Sequence, residues 1–406
     1  MVKLGLIGER LSHSYSPAIH KLLHGESYEL FELSRDELAM FFEKGGAFGV
    51  NVTIPYKRSV MEFCSTLSPE AEKVGSVNTM VRKDGLWHGH NTDYYGFLHM
   101  VEKSGVSVSG KKSVVLGSGG ASKAVVAVLE DLGASEIVVV SRQGKVNYES
   151  LSIHADAGLI VNATPVGMYP NNGESPVDLC VFKQCEAVLD LIYNPSRTKL
   201  VMQAESLGIT AISGLSMLVA QAAKSAEMFL DRSFRREDIE RITCKLSLDM
   251  ENIVLIGMPG CGKSTVGKAL AEMLGREFFD ADAEIESALG KTIPQIFAGD
   301  GQNHFRALET DMLQTLGKKS GAVIATGGGC VTRSENYEPL HQNGKIIWII
   351  RDLCLLETGG RPVSQSTDVS DLYEQRRALY ETFADATVRN CGEVDLCCER
   401  IKEALT

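Results

Sequence analysis

Three times along the chain a short aliphatic run leads into a glycine-rich turn or a helix. Leu4-Gly5-Leu6-Ile7 leads to Gly8. Ser113-Val114-Val115-Leu116 leads to Gly117-Ser118-Gly119-Gly120. Ile253-Val254-Leu255-Ile256 leads to Gly257-Met258-Pro259-Gly260. Short apolar runs bounded by turn residues predict buried strands. Such strands alternating with amphipathic helices predict parallel sheets, with ligands at the strand C-termini. The second and third turns differ in chemistry, so they are not an internal repeat. A charged helical stretch, Phe234 to Arg241, ends the first half, and a connector from Cys244 to Asn252 follows. The main boundary is expected near Leu248.

Among the longest apolar runs is Ile346-Ile347-Trp348-Ile349-Ile350. It has strand length, far short of the ~20 residues that cross a bilayer. The opening Met1-Val2-Lys3-Leu4-Gly5-Leu6-Ile7-Gly8 reads as a strand and turn, not as a signal peptide. With 406 residues, two to three domains are expected at about 150 residues each. A net charge of −11 argues against a nucleic-acid or anionic-membrane partner. Anionic metabolites remain open to it through local Arg, Lys and helix N-termini. The ten cysteines form no C-x-x-C pair and no zinc-spaced cluster. Reduced thiols and a cytoplasmic location are therefore expected.

In the first half, Gly117-Ser118-Gly119-Gly120-Ala121-Ser122 lies between a strand and a helix. Gly117 permits a tight turn, Gly119 lets backbone approach a pyrophosphate, and Ala121 and Ser122 let helix and strand pack closely. The loop alone is weak evidence, since a plain tight turn is the competing reading. The next strand, Glu136 to Val140, ends in Ser141-Arg142, where NAD-binding units usually carry a carboxylate. An arginine there suits a 2′-phosphate, hence NADP, and Lys145 adds charge. Upstream, Asn51-Val52-Thr53-Ile54-Pro55-Tyr56-Lys57, Asn78-Thr79 and Asn91-Thr92-Asp93 place polar side chains at predicted strand ends. That is the lining a polyol needs. Reducing a ketone takes a hydride to carbon and a proton to oxygen, and a partly buried lysine oriented by a carboxylate supplies the proton. Lys57 is the candidate, against the alternative of a solvated lysine.

In the second half, Gly257 to Ser264 fits Gly-x-x-x-x-Gly-Lys-Ser/Thr and sits between a strand and a helix. Its backbone N–H groups, with Gly260, Cys261, Gly262 and Thr265 around the turn, would wrap phosphates. Lys263 would meet the β- and γ-phosphates and Ser264 would ligate magnesium. In Phe278-Phe279-Asp280-Ala281-Asp282, strand alternation puts both carboxylates on one side. One can hold magnesium, as Asp280, and the other can accept a proton from an attacking hydroxyl. Arg306 and Glu309, one helical turn apart, can pair. Gly327-Gly328-Gly329 after a buried strand permits close approach of a small ligand, or a sharp turn.

These residues carry a resemblance. The first roughly 245 positions resemble shikimate dehydrogenase. The resemblance implies Ser14 and Ser16 as ligands of the substrate carboxylate, and Thr53, Asn78, Tyr193 and Gln221 as further substrate contacts. It implies Lys57 as acid/base, paired with Asp93. Gly117 to Ala121 matches the family's dinucleotide loop, and Asn162 to Met168 its segment beside the nicotinamide. Where the family usually reads Asn-Arg-Thr, this chain reads Ser141-Arg142-Gln143.

Residues from about 250 to 406 resemble shikimate kinase. That implies Asp282 as the base, Arg306 and Arg376 as carboxylate ligands, and Gly327, Gly328 and Gly329 facing the ring. It also implies Arg361 as the lid arginine on the transferring phosphoryl group. The family's Gly-Glu is Gly301-Gln302 here, and its adenine-stacking arginine has no clear counterpart.

The fold implied is α/β throughout. A discontinuous α/β substrate domain (1–95 and 214–245) surrounds a Rossmann NADP domain (96–213). A linker (246–252) then leads to a P-loop domain like the nucleoside monophosphate kinases (253–406). The activities implied are NADPH-dependent reduction of 3-dehydroshikimate to shikimate and ATP- and magnesium-dependent phosphorylation of shikimate, in aromatic amino acid biosynthesis. Small molecules are the expected partners, with the chain a monomer or homodimer. The rival expectations are an NAD-preferring quinate/shikimate dehydrogenase fused to a kinase, and a non-catalytic sensor of shikimate and nucleotides.

Overall fold

The structure, a computed structural model, describes residues 3–11, 14–44, 46–356 and 368–405. The chain divides into two compact units, Met1–Tyr193 with Thr198–Leu246, and Asn194–Arg197 with Ser247–Thr406.

The first unit holds two sheets. Strands β1 (Leu4–Gly8), β2 (Tyr28–Glu32), β3 (Gly49–Val52), β4 (Thr66–Leu67), β5 (Thr79–Lys83) and β6 (Leu86–His90) form a mixed sheet in the order β2-β1-β3-β5-β6-β4. β1 is parallel to β2 and β3, whereas β5 is antiparallel to both β3 and β6. Strands β7 (Lys112–Leu116), β8 (Glu136–Val140), β9 (Leu159–Asn162), β10 (Ala187–Asp190) and β11 (Thr210–Ser213) form a wholly parallel sheet, β11-β10-β9-β7-β8. The chain leaves β7 toward β8 and returns to the other side as β9. The crevice beyond the C-terminal ends of β7 and β9 is therefore a topological switch point, where such sheets bind ligands.

The aliphatic runs read as continuous because both faces of this sheet are covered. Val115, Val161 and Leu189 pack with Phe97, Val125 and Leu129 on one face. Val114, Leu116, Ile160 and Val188 pack with Leu179, Leu200 and Ala204 on the other. Helices Thr92–Ser104 and Leu215–Leu230 lie against each other. They serve both sheets. Phe97 and Met217 belong to the core of the parallel sheet, while Phe229 packs on Leu4 and Val81 of the mixed one. Their close approach depends on Gly96, where a Cβ would stand 2.7 Å from the Met217 carbonyl oxygen and 3.0 Å from the Gln221 Cβ.

The second unit is built on β12 (Asn252–Ile256), β13 (Phe278–Asp280), β14 (Val323–Ala325), β15 (Gly344–Ile350) and β16 (Ala386–Arg389), all parallel, in the order β13-β14-β12-β15-β16. Alternate residues again feed two cores. Val254, Ile324, Ile346 and Trp348 face one way, and Ile253, Leu255, Val323 and Ile347 the other. β12 is central, with the chain crossing it between β14 and β15, so its C-terminal end opens on a switch point. The stretch 246–252 expected as a linker is mostly helical, because helix Arg236–Met250 runs into it and β12 starts at Asn252. Among the described residues no helix is long and apolar enough to cross a membrane.

Gly96→Val overpacks the helix contact in the first unit. It is expected to cost about 1–3 kcal/mol and to lower the thermal midpoint for loss of the first unit's activity. Calorimetry would show that shift, with the second unit's transition as internal reference.

Candidate active sites

In the first unit the segment after β3 is fixed at three points. The Thr53 N–H donates to the Ile7 carbonyl at 2.9 Å, and the Tyr56 hydroxyl to the Leu33 carbonyl at 2.6 Å. The Val77 N–H donates to the Lys57 carbonyl at 2.8 Å. Asp93 stands in the first turn of helix Thr92–Ser104, where the helix dipole favours a carboxylate. Asn91 caps that helix and donates to the Ser76 carbonyl. With both ends anchored, Lys57 Nζ meets Asp93 Oδ2 at 2.6 Å, the side chains 25% and 14% exposed. Asn78 Nδ2 donates to Asp93 Oδ1 at 2.9 Å.

Behind this contact lies a buried polar layer. The Asn78 side-chain oxygen accepts from the Thr92 N–H at 2.7 Å. The hydroxyls of Thr79, Thr92 and Ser225 lie 2.9 to 3.1 Å from one another. Asn51 Nδ2 donates to Ser225 at 2.7 Å and to Thr79 at 3.0 Å, and its oxygen accepts from the Tyr28 hydroxyl. Sequence reading missed Ser225. It lies one helical turn past Gln221 on helix Leu215–Leu230, the spacing that puts two side chains on one face.

A cavity of about 630 Å³ opens in front of the Lys57–Asp93 contact. Ser14, Ser16, Thr53, Asn78, Tyr193 and Gln221 line it together with Lys57 and Asp93, and Ala121 reaches it from the glycine-rich loop. Arg10, which sequence reading did not single out, lines it too.

The glycine-rich loop fits a dinucleotide. Gly117 has φ +102°, and a Cβ there would stand 2.9 Å from the Ala163 carbonyl oxygen, so no larger residue suits the turn. Ser118, Gly119 and Gly120 are exposed at the strand end, and Gly119 is the N-cap of helix Gly120–Asp131. The first N–H groups of that helix are available to phosphate oxygens. After β8 a tight turn is closed by Ser141 N–H to the Val146 carbonyl and Gly144 N–H to the Ser141 carbonyl. It holds Arg142 and Lys145 exposed, the disposition a 2′-phosphate needs. Asp190, at the end of β10, accepts from Asn162 Nδ2, the Ile192 N–H and the Thr198 hydroxyl. It thereby ties the segment after β9 to the one that carries Tyr193. Burial pushes its carboxyl up to about 6, against the pull of those three donors.

In the second unit the phosphate-binding turn follows β12. Gly262 has φ +100°, and a Cβ there would meet Asn390 Nδ2 at 2.6 Å. That same Nδ2 donates to the carbonyl of buried Cys261 at 2.8 Å. Lys263 opens helix Lys263–Leu274, its ammonium donating to the Gly257 and Met258 carbonyls at 2.9 and 3.0 Å. Ser264 and Thr265 are exposed in the first turn, and the Ser264 hydroxyl donates to Asp280 Oδ2. This hydroxyl–carboxylate pair beside a phosphate turn fits magnesium. Asp282 is not on a strand beside Asp280, as alternation predicted. β13 stops at Asp280, whose other oxygen caps the helix Ala281–Leu289 by accepting from the Asp282 and Ala283 N–H groups. Capping brings the two carboxylates together where strand alternation does not.

Asp282 Oδ1, Glu309 Oε1 and Arg306 Nε are buried without hydrogen-bond partners. Arg306 and Glu309 form an ion pair on the helix Ile293–Gly317, beyond its break at Gly301. Gly327 comes so close that a Cβ there would crowd Glu309 Oε1 and Asp282 Oδ1, and one on Gly329 would overlap the Arg306 guanidinium. Arg376 Nη1 and the Tyr380 hydroxyl both donate to the Gly328 carbonyl. Asp282, Arg306 and Arg376 thus gather around the three glycines, and unpartnered buried polar atoms at such a place mark a polar ligand. Arg361 lies outside the described residues.

Burial, then the negative charges of Glu309 and Asp280, push the Asp282 carboxyl from 3.8 to about 7, partly offset by Lys263 and Arg306. Between those values the folded unit keeps a proton that the unfolded chain releases, so stability falls as pH climbs through the window. Asp282→Asn should remove that component. Urea unfolding followed by Trp348 fluorescence, in a Trp87→Phe background, should show the variant gaining on its parent as pH rises from about 4 to about 7.

The comparisons with known proteins divide as the chain does. Residues 6–80 match the family model of the shikimate dehydrogenase substrate binding domain, and residues 259–406 that of shikimate kinase. A shikimate dehydrogenase (NADP(+)) of Clostridium perfringens is 37% identical over 270 residues, 60% of this chain and 100% of the relative. A chorismate mutase/shikimate 5-dehydrogenase fusion protein from Clostridium acetobutylicum superposes with a TM-score of 0.58 and 40% identity, covering 61% of this chain and 97% of that one. A Thermus thermophilus shikimate 5-dehydrogenase, solved with NADP(H) and shikimate, superposes with a TM-score of 0.55 and 29% identity over 60% of this chain and 99% of that one. The chain belongs to the shikimate dehydrogenase family, with a shikimate kinase domain fused behind it.

Proposed function

We propose that the first site reduces 3-dehydroshikimate to shikimate with NADPH, and that the second transfers the γ-phosphoryl group of ATP to the 3-hydroxyl of shikimate. One observation carries each half. In the first it is the 2.6 Å contact of Lys57 with Asp93 at a cavity lined by hydroxyl and amide groups. In the second it is the unpartnered Asp282 Oδ1 beside Gly327, in the same unit as the phosphate-binding turn.

NADPH, when bound, supplies the hydride. Lys57 delivers the proton to the ketone oxygen, and Asp93 holds the ammonium toward it. Asn78 keeps Asp93 from turning, because it occupies the carboxylate oxygen that Lys57 leaves free. Ser14 and Ser16 anchor the substrate carboxylate, while Thr53, Tyr193 and Gln221 bind the rest of the ring. Arg142 and Lys145 favour the phosphorylated cofactor. In the second unit, Asp282 orients the 3-hydroxyl and accepts its proton as the oxygen attacks phosphorus. Lys263 neutralises phosphate charge, Ser264 and Asp280 hold magnesium, and Arg306 and Arg376 bind the carboxylate. The hydroxyl phosphorylated is the one the first reaction creates, so the product of one site is the substrate of the other.

Lys57→Ala should lower NADPH consumption by about 100- to 10,000-fold while leaving shikimate phosphorylation intact. Lys263→Ala should do the reverse. Supplying 3-dehydroshikimate, NADPH, ATP and magnesium to the parent chain should yield shikimate 3-phosphate by mass spectrometry. A preference for NAD and quinate, or ligand binding without turnover, would sink this reading.

A further inference from the structure

We propose that Arg10 is an additional ligand of the substrate carboxylate in the first site, an assignment that rests on the substrate class proposed above. The charged side chains lining the cavity are Arg10, Lys57 and Asp93. Lys57 and Asp93 neutralise each other at 2.6 Å. No carboxylate among the described residues pairs with Arg10. The cavity therefore carries one uncompensated positive charge, and it belongs to a side chain exposed at the rim.

The position of that charge follows from the chain around it. β1 ends at Gly8, and the Leu11 N–H is held by Glu32 Oε1 at 2.7 Å. The Ser14 N–H donates to the Leu11 carbonyl at 3.1 Å, and the Ser16 N–H to the Ser14 hydroxyl oxygen at 3.2 Å. One tethered segment thus presents a guanidinium, two hydroxyls and the N-terminus of the nine-residue helix Ser16–His24. Each of these groups favours an anion, the helix through its unpaired N–H groups. A guanidinium offers a carboxylate two parallel hydrogen bonds with full charge, which neither serine can. Arg10 therefore joins Ser14 and Ser16 in gripping the carboxylate, and Lys57 is left to handle the reacting oxygen.

The test compares shikimate with its methyl ester, which keeps the ring and lacks the charge. In the shikimate-oxidising direction, Arg10→Ala should raise KM for shikimate by about 10- to 100-fold, the effect of losing a charged hydrogen bond. Its kcat and its KM for NADP should stay close to the parent's. KM for the methyl ester should be the same with and without Arg10, a pattern that a merely structural role would not produce. Arg10→Lys should recover part of the affinity, since lysine restores the charge without the fork. Phosphorylation of shikimate by the same variant chain checks that the protein is intact. The assignment falls if Arg10→Ala leaves KM for shikimate unchanged, or raises KM for acid and ester alike. A parent chain that does not oxidise shikimate at all would instead overturn the reaction proposed for the site.

Discussion

A carboxylate can steer a proton only if it cannot turn away, and the first site is organised around that constraint. Both oxygens of Asp93 are engaged, one by Lys57 and one by Asn78. Asn78 is itself held through its oxygen by the Thr92 N–H, the residue next to Asp93. The loop is short and closed, so rotating any member breaks a hydrogen bond in a partly buried place, at a cost of about 1–3 kcal/mol. Asn51, Thr79, Thr92 and Ser225 extend the same logic inward, joining two strands and two helices at one polar point. That layer explains why the Gly96 contact between the two helices matters to chemistry as well as to packing. Gln221 and Ser225 reach the site only if the helices stay close.

The second site follows the opposite rule. Its polar atoms are brought into the interior and several are left without partners. A protein tolerates that at a place where a ligand completes the set. The glycines at 327 and 329 make room for it, since any side chain there would collide with Asp282, Glu309 or Arg306. The elevated pKa of Asp282 has the same origin. A carboxyl crowded by two others away from water holds its proton more tightly, and a base with a pKa near neutrality is well matched to taking a proton from a hydroxyl.

Much of this was readable from local pattern. The three strand-to-glycine openings and the Lys263 turn are short-range signals, because a strand end or a helix start is specified by a few neighbouring residues, whereas the pairing of Lys57 with Asp93 was implied by the family resemblance and not by spacing. The short continuous apolar runs, alternating with helical patterns, also foretold buried strands in parallel sheets. What escaped depends on distant parts of the chain meeting. Ser225 joins Asn51 across 174 positions, and Asn390 reaches Cys261 across 129. Asp282 was misplaced for a different reason. Asp280 can continue a strand or cap a helix, and its cap bonds to the next turn decide the matter in a way that strand periodicity cannot anticipate.

Asn390 sits directly after β16 and donates its backbone N–H to the Ile350 carbonyl of β15, while its side-chain amide donates to the carbonyl at Cys261. The phosphate turn is thus moored to a strand contributed from more than a hundred residues downstream. Its finished shape includes a bond to that last strand, so nucleotide handling draws on the completed sheet as well as on the glycine-rich segment.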